Sequence, residues 1–231
     1  MTENDRHPQP TPKQTWIGRT VKSGMRLFFR LLYHPFAWSY DIVAAAVSLG
    51  RWQSWVLATA GMLKGPRILE LGFGPGHLQA HLHQDGMLAY GLDESWQMAT
   101  QARSRLKKIG FQPRLVRGLA QDLPYASGTF DTVTATFPTL YIVDPGALEG
   151  IWRVLAPDGR LVVLMTAWVT GKSLRERAVR ALNRVTAETP PDDMDLAEFL
   201  KPYQKAGFQA SLRFVEHGGS RLMFIIAERA E

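Results

Sequence analysis

Between residues 66 and 166 short apolar runs alternate with stretches of helical period. Arg67-Ile68-Leu69-Glu70-Leu71 is an almost unbroken apolar run that ends in glycines. Such a run predicts a strand buried on both faces. Residues 75–84 carry a helical pattern. Leu88 to Asp93 repeats the strand signal and ends on an acid. Residues 95–109 place Met98, Ala102 and Leu106 on one helical face. Arg114 to Gly118, Thr129 to Ala135 and Arg160 to Thr166 predict three more strands. Strands separated by helices of this length imply right-handed crossovers and a parallel sheet.

The last part of the chain departs from that alternation. Gln209 to Glu216 and Arg221 to Glu228 both have strand character, and only His217, Gly218, Gly219 and Ser220 separate them. Four residues cannot carry a parallel crossover, so the two runs predict an antiparallel hairpin. The expected fold is α/β, a Rossmann-like doubly wound sheet of seven strands. It is mostly parallel, with one antiparallel strand in the C-terminal hairpin and a helical cap at the N-terminus.

The cap is read from a different pattern. Ile17, Val21, Met25, Phe28 and Leu32 recur at helical spacing, with Arg19, Lys22, Arg26 and Arg30 on the opposite face and Pro35 ending the run. This is a basic amphipathic helix, suited either to cap the domain or to lie on an anionic membrane surface. Residues 42–63 are apolar but broken by Arg51, Gln53 and Ser54, so they do not make a membrane span. Residues 172–187 form a second basic helical pattern after the fifth strand. The expected organisation is a disordered N-terminus over 1–14, a helical cap over 15–64, and a main domain over 65–231 with a helical insertion at about 167–206. The first residues have no apolar run of the kind a secretory signal needs.

Charge and composition narrow the chemistry. The formal net charge is +6, and no acidic residue falls between Asp5 and Asp41. That balance is compatible with nucleic acid, anionic lipid or acidic substrates and selects none of them. Cysteine is absent, which excludes disulfides, thiolate zinc sites and cysteine nucleophiles. It fits a reducing, cytoplasmic setting, with peripheral membrane association left open by the 17–32 pattern. No metal is expected.

The loop Glu70-Leu71-Gly72-Phe73-Gly74-Pro75-Gly76 stands between a predicted strand and a predicted helix. Glycines there permit a tight turn and a close approach to a ligand. A dinucleotide site wants G-x-G-x-x-G, but His77 occupies the position of that last glycine. Glu70, just ahead of the loop, would repel a pyrophosphate and suits a ligand with an ammonium group. Asp93 ends the second strand, where an acid can accept hydrogen bonds from both hydroxyls of a ribose. Asp122 follows the third strand. It can receive an adenine amine or act as a turn cap.

These segments together resemble class I S-adenosylmethionine methyltransferases. Ile68 to His77 looks like their first motif, and Gly91-Leu92-Asp93-Glu94-Ser95 with Met98 like the second. Asp122-Leu123-Pro124 followed by Gly128 to Val133 resembles the adenine loop and fourth strand. Trp152 to Leu161 resembles the R-x-L-x-P-G-G link into the fifth. Within the superfamily the chain looks most like the quinone C-methyltransferase and phospholipid N-methyltransferase group (methyltransferase type 11-like). The resemblance implies S-adenosyl-L-methionine as cofactor. It implies Gly72, Phe73, Gly74, Gly76 and His77 along the methionine part, with Glu70 near its amino group. Asp93 and Glu94 would meet the ribose, and Met98 would pack close to the adenine. Gln121, Asp122 and Leu123 would flank the adenine, and Thr136 and Phe137 would lie beside the sulfonium.

Methyl transfer from a sulfonium is an in-line displacement, so orientation is the protein's main task. Polar groups that could assist are His34, Tyr40, His77 and Tyr141, with packing as the alternative role for each. Trp38, Tyr40, Trp52 and Trp55 would make the acceptor pocket aromatic, suiting a small apolar or amphiphilic acceptor: a quinone, a lipid or another small molecule. The post-strand motif of amino-group methyltransferases, Asn/Asp-Pro-Pro-Tyr, is replaced by Thr136-Phe137-Pro138-Thr139. That counts against nucleobase acceptors. An RNA methyltransferase and a non-catalytic protein of the same fold remain the alternatives, and the glycine spacing disfavours an NAD-dependent oxidoreductase.

Overall fold

The computed structural model describes residues 50–170 and 196–229. Helix α1 (Trp52–Ala58) and a 3-10 turn over Thr59–Met62 precede strand β1 (Arg67–Leu71). Next come α2 (His77–Gln84), β2 (Leu88–Asp93), α3 (Trp96–Lys108), β3 (Leu115–Arg117) and β4 (Phe130–Thr136). Then α4 (Pro145–Val154), β5 (Leu155–Val169), α5 (Lys201–Lys205), β6 (Phe208–His217) and β7 (Ser220–Arg229) complete the series.

The seven strands form one sheet in the order β3-β2-β1-β4-β5-β7-β6. β1 pairs parallel with β2 and β4, β2 with β3, and β4 with β5. β7 runs antiparallel to both β5 and β6. This is the expected doubly wound sheet with a single reversed strand. The reversal follows from the hairpin: Gly218 and Gly219, both at positive φ, make the tight connection that only an antiparallel pair can use.

Both faces of the sheet are buried, which is why β1, β4 and β5 read as nearly continuous apolar runs. Successive side chains point to opposite faces. Leu69, Leu71, Val133, Ala135, Leu161 and Val163 pack with Leu148, Ile151 and Tyr203 on one side. On the other, Val162, Leu164 and Phe224 pack with Trp55, while Ile68 packs with Val56, Leu78 and Leu82. Each fully buried Leu or Ile contributes about 1.5–3 kcal/mol of transfer free energy. The buried polar residues Glu70, Thr132 and Thr134 share the second face. Thr132 and Thr134 satisfy themselves on the carbonyls of Lys64 (2.7 Å) and Val162 (3.0 Å).

The fifth strand starts earlier than its pattern suggests. Leu155 already pairs with Phe130, and the register then jumps so that Arg160 faces Thr132. The intervening Pro157-Asp158-Gly159 reads as a chain break, yet it is a bulge in which Asp158 takes φ 59°. Of the expected helical insertion at about 167–206, the strand persists to Val169 and short helical turns occupy Leu196–Phe199 and Lys201–Lys205. The 172–187 pattern lies outside the described residues. So do residues 1–49, which include the 1–14 segment, the basic 17–32 pattern and most of the 15–64 cap.

Candidate functional site

The carboxyl ends of β1, β2 and β4 meet at the centre of the sheet, where an open α/β fold leaves a crevice. The glycine loop leaves β1 there. Gly72, Gly74 and Gly76 all take positive φ (67°, 53° and 82°), a backbone conformation that side chains resist. Each has its own surroundings. A Cβ on Gly76 would come within 2.7 Å of Ala102 Cβ, so this glycine lets α2 and α3 touch. A Cβ on Gly72 would lie 3.0 Å from the Tyr141 hydroxyl, whereas one on Gly74 would enter open space. The crest of the loop is therefore free to receive a ligand.

Two carboxylates stand under and beside this loop. Asp93, at the end of β2, accepts the N–H of Gly74 on Oδ2 (2.9 Å) and the N–H of Ser95 on Oδ1 (2.8 Å). It thereby ties the glycine loop to the start of α3, whose N-cap is Ser95. Burial raises its pKa and the two backbone donors oppose that shift. Each oxygen keeps a lone-pair direction for a hydroxyl donor. Glu70 is 2% exposed and accepts a hydrogen bond from Gln79 Nε2 at 2.9 Å. Desolvation pushes its pKa up to about 8, with the Gln79 bond opposing and the charge of Asp93 reinforcing the rise. A buried carboxyl so placed, without a cation among its described partners, is matched to a ligand that brings a positive charge.

The remaining predicted residues fall into three groups. Some follow the carboxyl ends of the strands. Glu94, Gln121 and Asp122 are exposed after β2 and β3, Met98 is buried on α3, and Leu123 anchors the loop after β3 in the core. Thr136 is half-buried at the end of β4. Tyr141 donates from its hydroxyl to the Leu71 carbonyl at 3.2 Å, which sets it directly over the root of the glycine loop. His77 begins α2 beside Arg105, which also holds the Pro75 carbonyl at 2.9 Å.

A second group faces elsewhere. The Phe73 side chain is 3% exposed and packs under the loop with Ala99, Ala102, Leu106 and Leu115, leaving only its backbone to line the crevice. Gly91 accommodates that ring, since a Cβ there would meet it at 2.6 Å. Phe137 takes φ 49° and its ring stacks on Trp52, centroids 4.1 Å apart, with Trp55 at 6.3 Å. The aromatic residues before β1 and the residue after β4 are thus one cluster. The third group, His34, Tyr40 and Trp38, lies outside the described residues.

Three further contributors lie outside the expected site residues. Gln79 reaches Glu70 from α2. Arg153 on α4 donates to the Leu123 carbonyl (2.9 Å) and the Tyr125 carbonyl, pinning the loop after β3. Arg117 holds the Glu94 carbonyl at 3.0 Å. Arg153 stands in the Trp152–Leu161 link, but its partners lie 28 and 30 residues away, and neither period nor motif spacing announces the contacts of Gln79 and Arg117.

Comparison with known proteins agrees with this geometry. Residues 69–163 match the family described as a methyltransferase domain. The chain is 32% identical over 143 residues to a ubiquinone/menaquinone biosynthesis C-methyltransferase of Psychromonas ingrahamii, covering 58% of this chain and 57% of that protein. It is 36% identical over 137 residues to a demethylmenaquinone methyltransferase of Beutenbergia cavernae, covering 57% and 55%. The chain thus spans little more than half the length of the curated relatives it matches. Among solved structures, an S-adenosylmethionine-dependent methyltransferase from Thermotoga maritima, described as a possible histamine N-methyltransferase, superposes with a TM-score of 0.54. Its sequence is 18% identical, over 92% of this chain and 99% of that one, a likeness of fold. Residues 69–163 thus match a methyltransferase domain, and they lie in a sheet whose one reversed strand sits second from its edge.

Proposed function

We propose that the protein transfers the methyl group of S-adenosyl-L-methionine to a small apolar or amphiphilic acceptor of quinone or lipid character. The observation that carries the cofactor is the pairing of Glu70 and Asp93 around the glycine loop. An adenosyl amino acid presents an ammonium group and a ribose diol at opposite ends. Glu70 is the buried acid that such an ammonium neutralises, and Asp93 has acceptor capacity left for the diol. The open crest at Gly74 gives the methionine part a path between them. A pyrophosphate would bring negative charge against Glu70, which argues against a dinucleotide.

When bound, the cofactor supplies a methyl group already activated on a sulfonium. The chain's residues then have to bind, orient and exclude water, since in-line displacement gains most from alignment. Glu70 and Asp93 fix the two ends of the donor. Tyr141, anchored on Leu71, borders the methionine side, and the Trp52–Phe137 stack supplies an apolar wall beyond β4. No acid–base pair is required unless the acceptor must lose a proton.

The acceptor class rests on that aromatic wall and on the quinone-modifying relatives, whose substrates are flat and apolar by name. Among the described residues no helix is long and apolar enough to cross a membrane. For an apolar acceptor held in a bilayer, the basic 17–32 segment is the candidate surface contact. Calorimetry on the full chain tests the donor: S-adenosylmethionine binding in the micromolar range is expected, and absence of binding to folded protein overturns the reading. Co-sedimentation with anionic vesicles, with and without residues 17–32, tests the surface contact. Equal sedimentation of the two forms removes it.

A further inference from the structure

Gln79 is the one fully buried amide at the crevice, and its bonding is lopsided. Its side chain is 0% exposed. Both amide hydrogens are in use, one on Glu70 Oε2 at 2.9 Å and one on the Tyr90 carbonyl at 3.0 Å. Its own carbonyl oxygen, also buried, has no partner among the described residues. An unmet buried acceptor is destabilising, and a leucine or methionine in the same place would avoid that cost. The donor side is therefore what the position uses. The Tyr90 carbonyl belongs to β2, inside the sheet, and cannot shift. It acts as the fixed post that aims the second hydrogen at Glu70, on the neighbouring strand β1.

We infer that Gln79 is a positioning residue, which holds the Glu70 carboxylate beneath the glycine loop and favours the ionised form that a cationic ligand needs. The groups facing Glu70 leave this task to Gln79. Asp93, on β2, is an acid and opposes ionisation. Thr134, its neighbour on β4, spends its hydroxyl on the Val162 carbonyl, and Tyr141 donates to Leu71. Among the described residues, Gln79 is the side chain that gives Glu70 a hydrogen bond. Without it, the carboxyl stays protonated to higher pH and loses its fixed direction. The inference deepens the proposed binding of S-adenosylmethionine and rests on it only for its functional consequence.

Gln79→Met keeps the volume and removes the amide. Two measurements on the full-length chain test the inference. In the ligand-free protein, carbon-detected NMR of labelled glutamate follows the titration of Glu70, assigned by its loss in Glu70→Gln. The midpoint is expected near pH 8 in the parent and higher in Gln79→Met; an unmoved midpoint overturns the inference. That result stands even if the protein binds no S-adenosylmethionine, in which case the proposed function fails alone. The second measurement is calorimetric affinity for S-adenosylhomocysteine. Gln79→Met is expected to weaken it about tenfold at pH 7 and less at pH 8.5, the size of one charge-assisted hydrogen bond. A loss equal at every pH, or one that persists in a Glu70→Gln background, marks a packing role and refutes the inference. Should Gln79→Met fold poorly, Gln79→Leu serves the same two readouts.

Discussion

The two ends of β1 solve the same electrostatic problem in opposite ways. At its amino end, Arg67 donates from its backbone N–H and its guanidinium to Asp131, on the adjacent strand β4. The side-chain bond to Arg67 leads the causes that hold the Asp131 carboxyl below its ordinary range. Three residues further along, Glu70 lies deeper, has an amide for company, and is pushed up to about 8 by desolvation. One carboxylate is completed within the chain and the other is left for something that arrives. Position in the fold explains the contrast: the amino ends of parallel strands are closed by short turns, and their carboxyl ends open on the crevice. An acid whose ionisation is penalised by its own protein marks the end of the strand that binds.

Removing Asp93 should have the largest effect on this contrast. Its carboxylate orders Gly74 and Ser95 at once, so Asp93→Ala releases two charge-assisted bonds and the expected ribose contacts. Affinity for S-adenosylmethionine is expected to fall by about 100-fold or more, the scale of two such bonds. Titration calorimetry checks it. An affinity within threefold of the parent would take Asp93 out of the site.

At the closed end the matching perturbation is Gly65→Ala. Gly65 has φ 68°, and a Cβ there would lie 2.5 Å from Asp131 Cβ, against side-chain atoms already fixed by Arg67. Strain and overlap together should cost about 2–4 kcal/mol of stability, read as a lower urea midpoint with the slope unchanged. Ligand affinity should stay at the parent value, because the damage lies at the far end of the strand.

How much of this was legible beforehand differs between the same two ends. The strand bounds of β1 and β2, the glycine loop, Asp93 and the terminal hairpin all follow from local pattern. They are encoded by residues adjacent in sequence: an apolar run, a glycine triplet, a two-glycine turn. The Arg67–Asp131 pair spans 64 positions and the Arg153 clamp about thirty, so no window of sequence contains both partners. The bulge at Asp158 escaped for another reason. Pro-Asp-Gly is turn chemistry, and only pairing with β4 converts it into a strand irregularity. Phe137 shows the limit of placing a residue by motif. Its position at the end of β4 was foreseeable, but its left-handed backbone and its stack on Trp52 were not.

Glu70→Gln should sharpen the comparison from the open end. A carboxyl whose folded pKa is raised contributes its stability below the unfolded value of about 4.5 and loses it as pH rises through about 8. The ligand-free parent should therefore weaken across that interval, and Glu70→Gln should not. At pH 8 the substitution is expected to stabilise the ligand-free protein relative to the parent. The same change removes the charge that meets the ammonium, so ligand affinity should drop while stability rises. Affinity of the parent should also climb between pH 6 and 7.5, as Glu70 becomes easier to ionise; a flat profile would separate Glu70 from the binding step.

The smallest effect is expected from Asp131→Asn, and its sign is the reverse. The folded pKa of Asp131 is depressed, so its contribution is present above the ordinary carboxylate range and disappears as pH falls through the lowered value. Arg67 is 43% exposed on its side chain, and solvent screens the pair. Asp131→Asn should thus lower stability slightly at neutral pH and not at all at the acid extreme, flattening the acid limb of a denaturation profile. Glu70→Gln flattens the limb from about 4.5 to 8 instead. If the two substitutions altered the same limb, the ends of β1 would not differ as described. Opposite limbs would mean that β1 pairs at one end with a carboxylate that the ligand-free fold already satisfies, Asp131 on β4, and carries near the other end one held at a cost until a cation binds, Glu70.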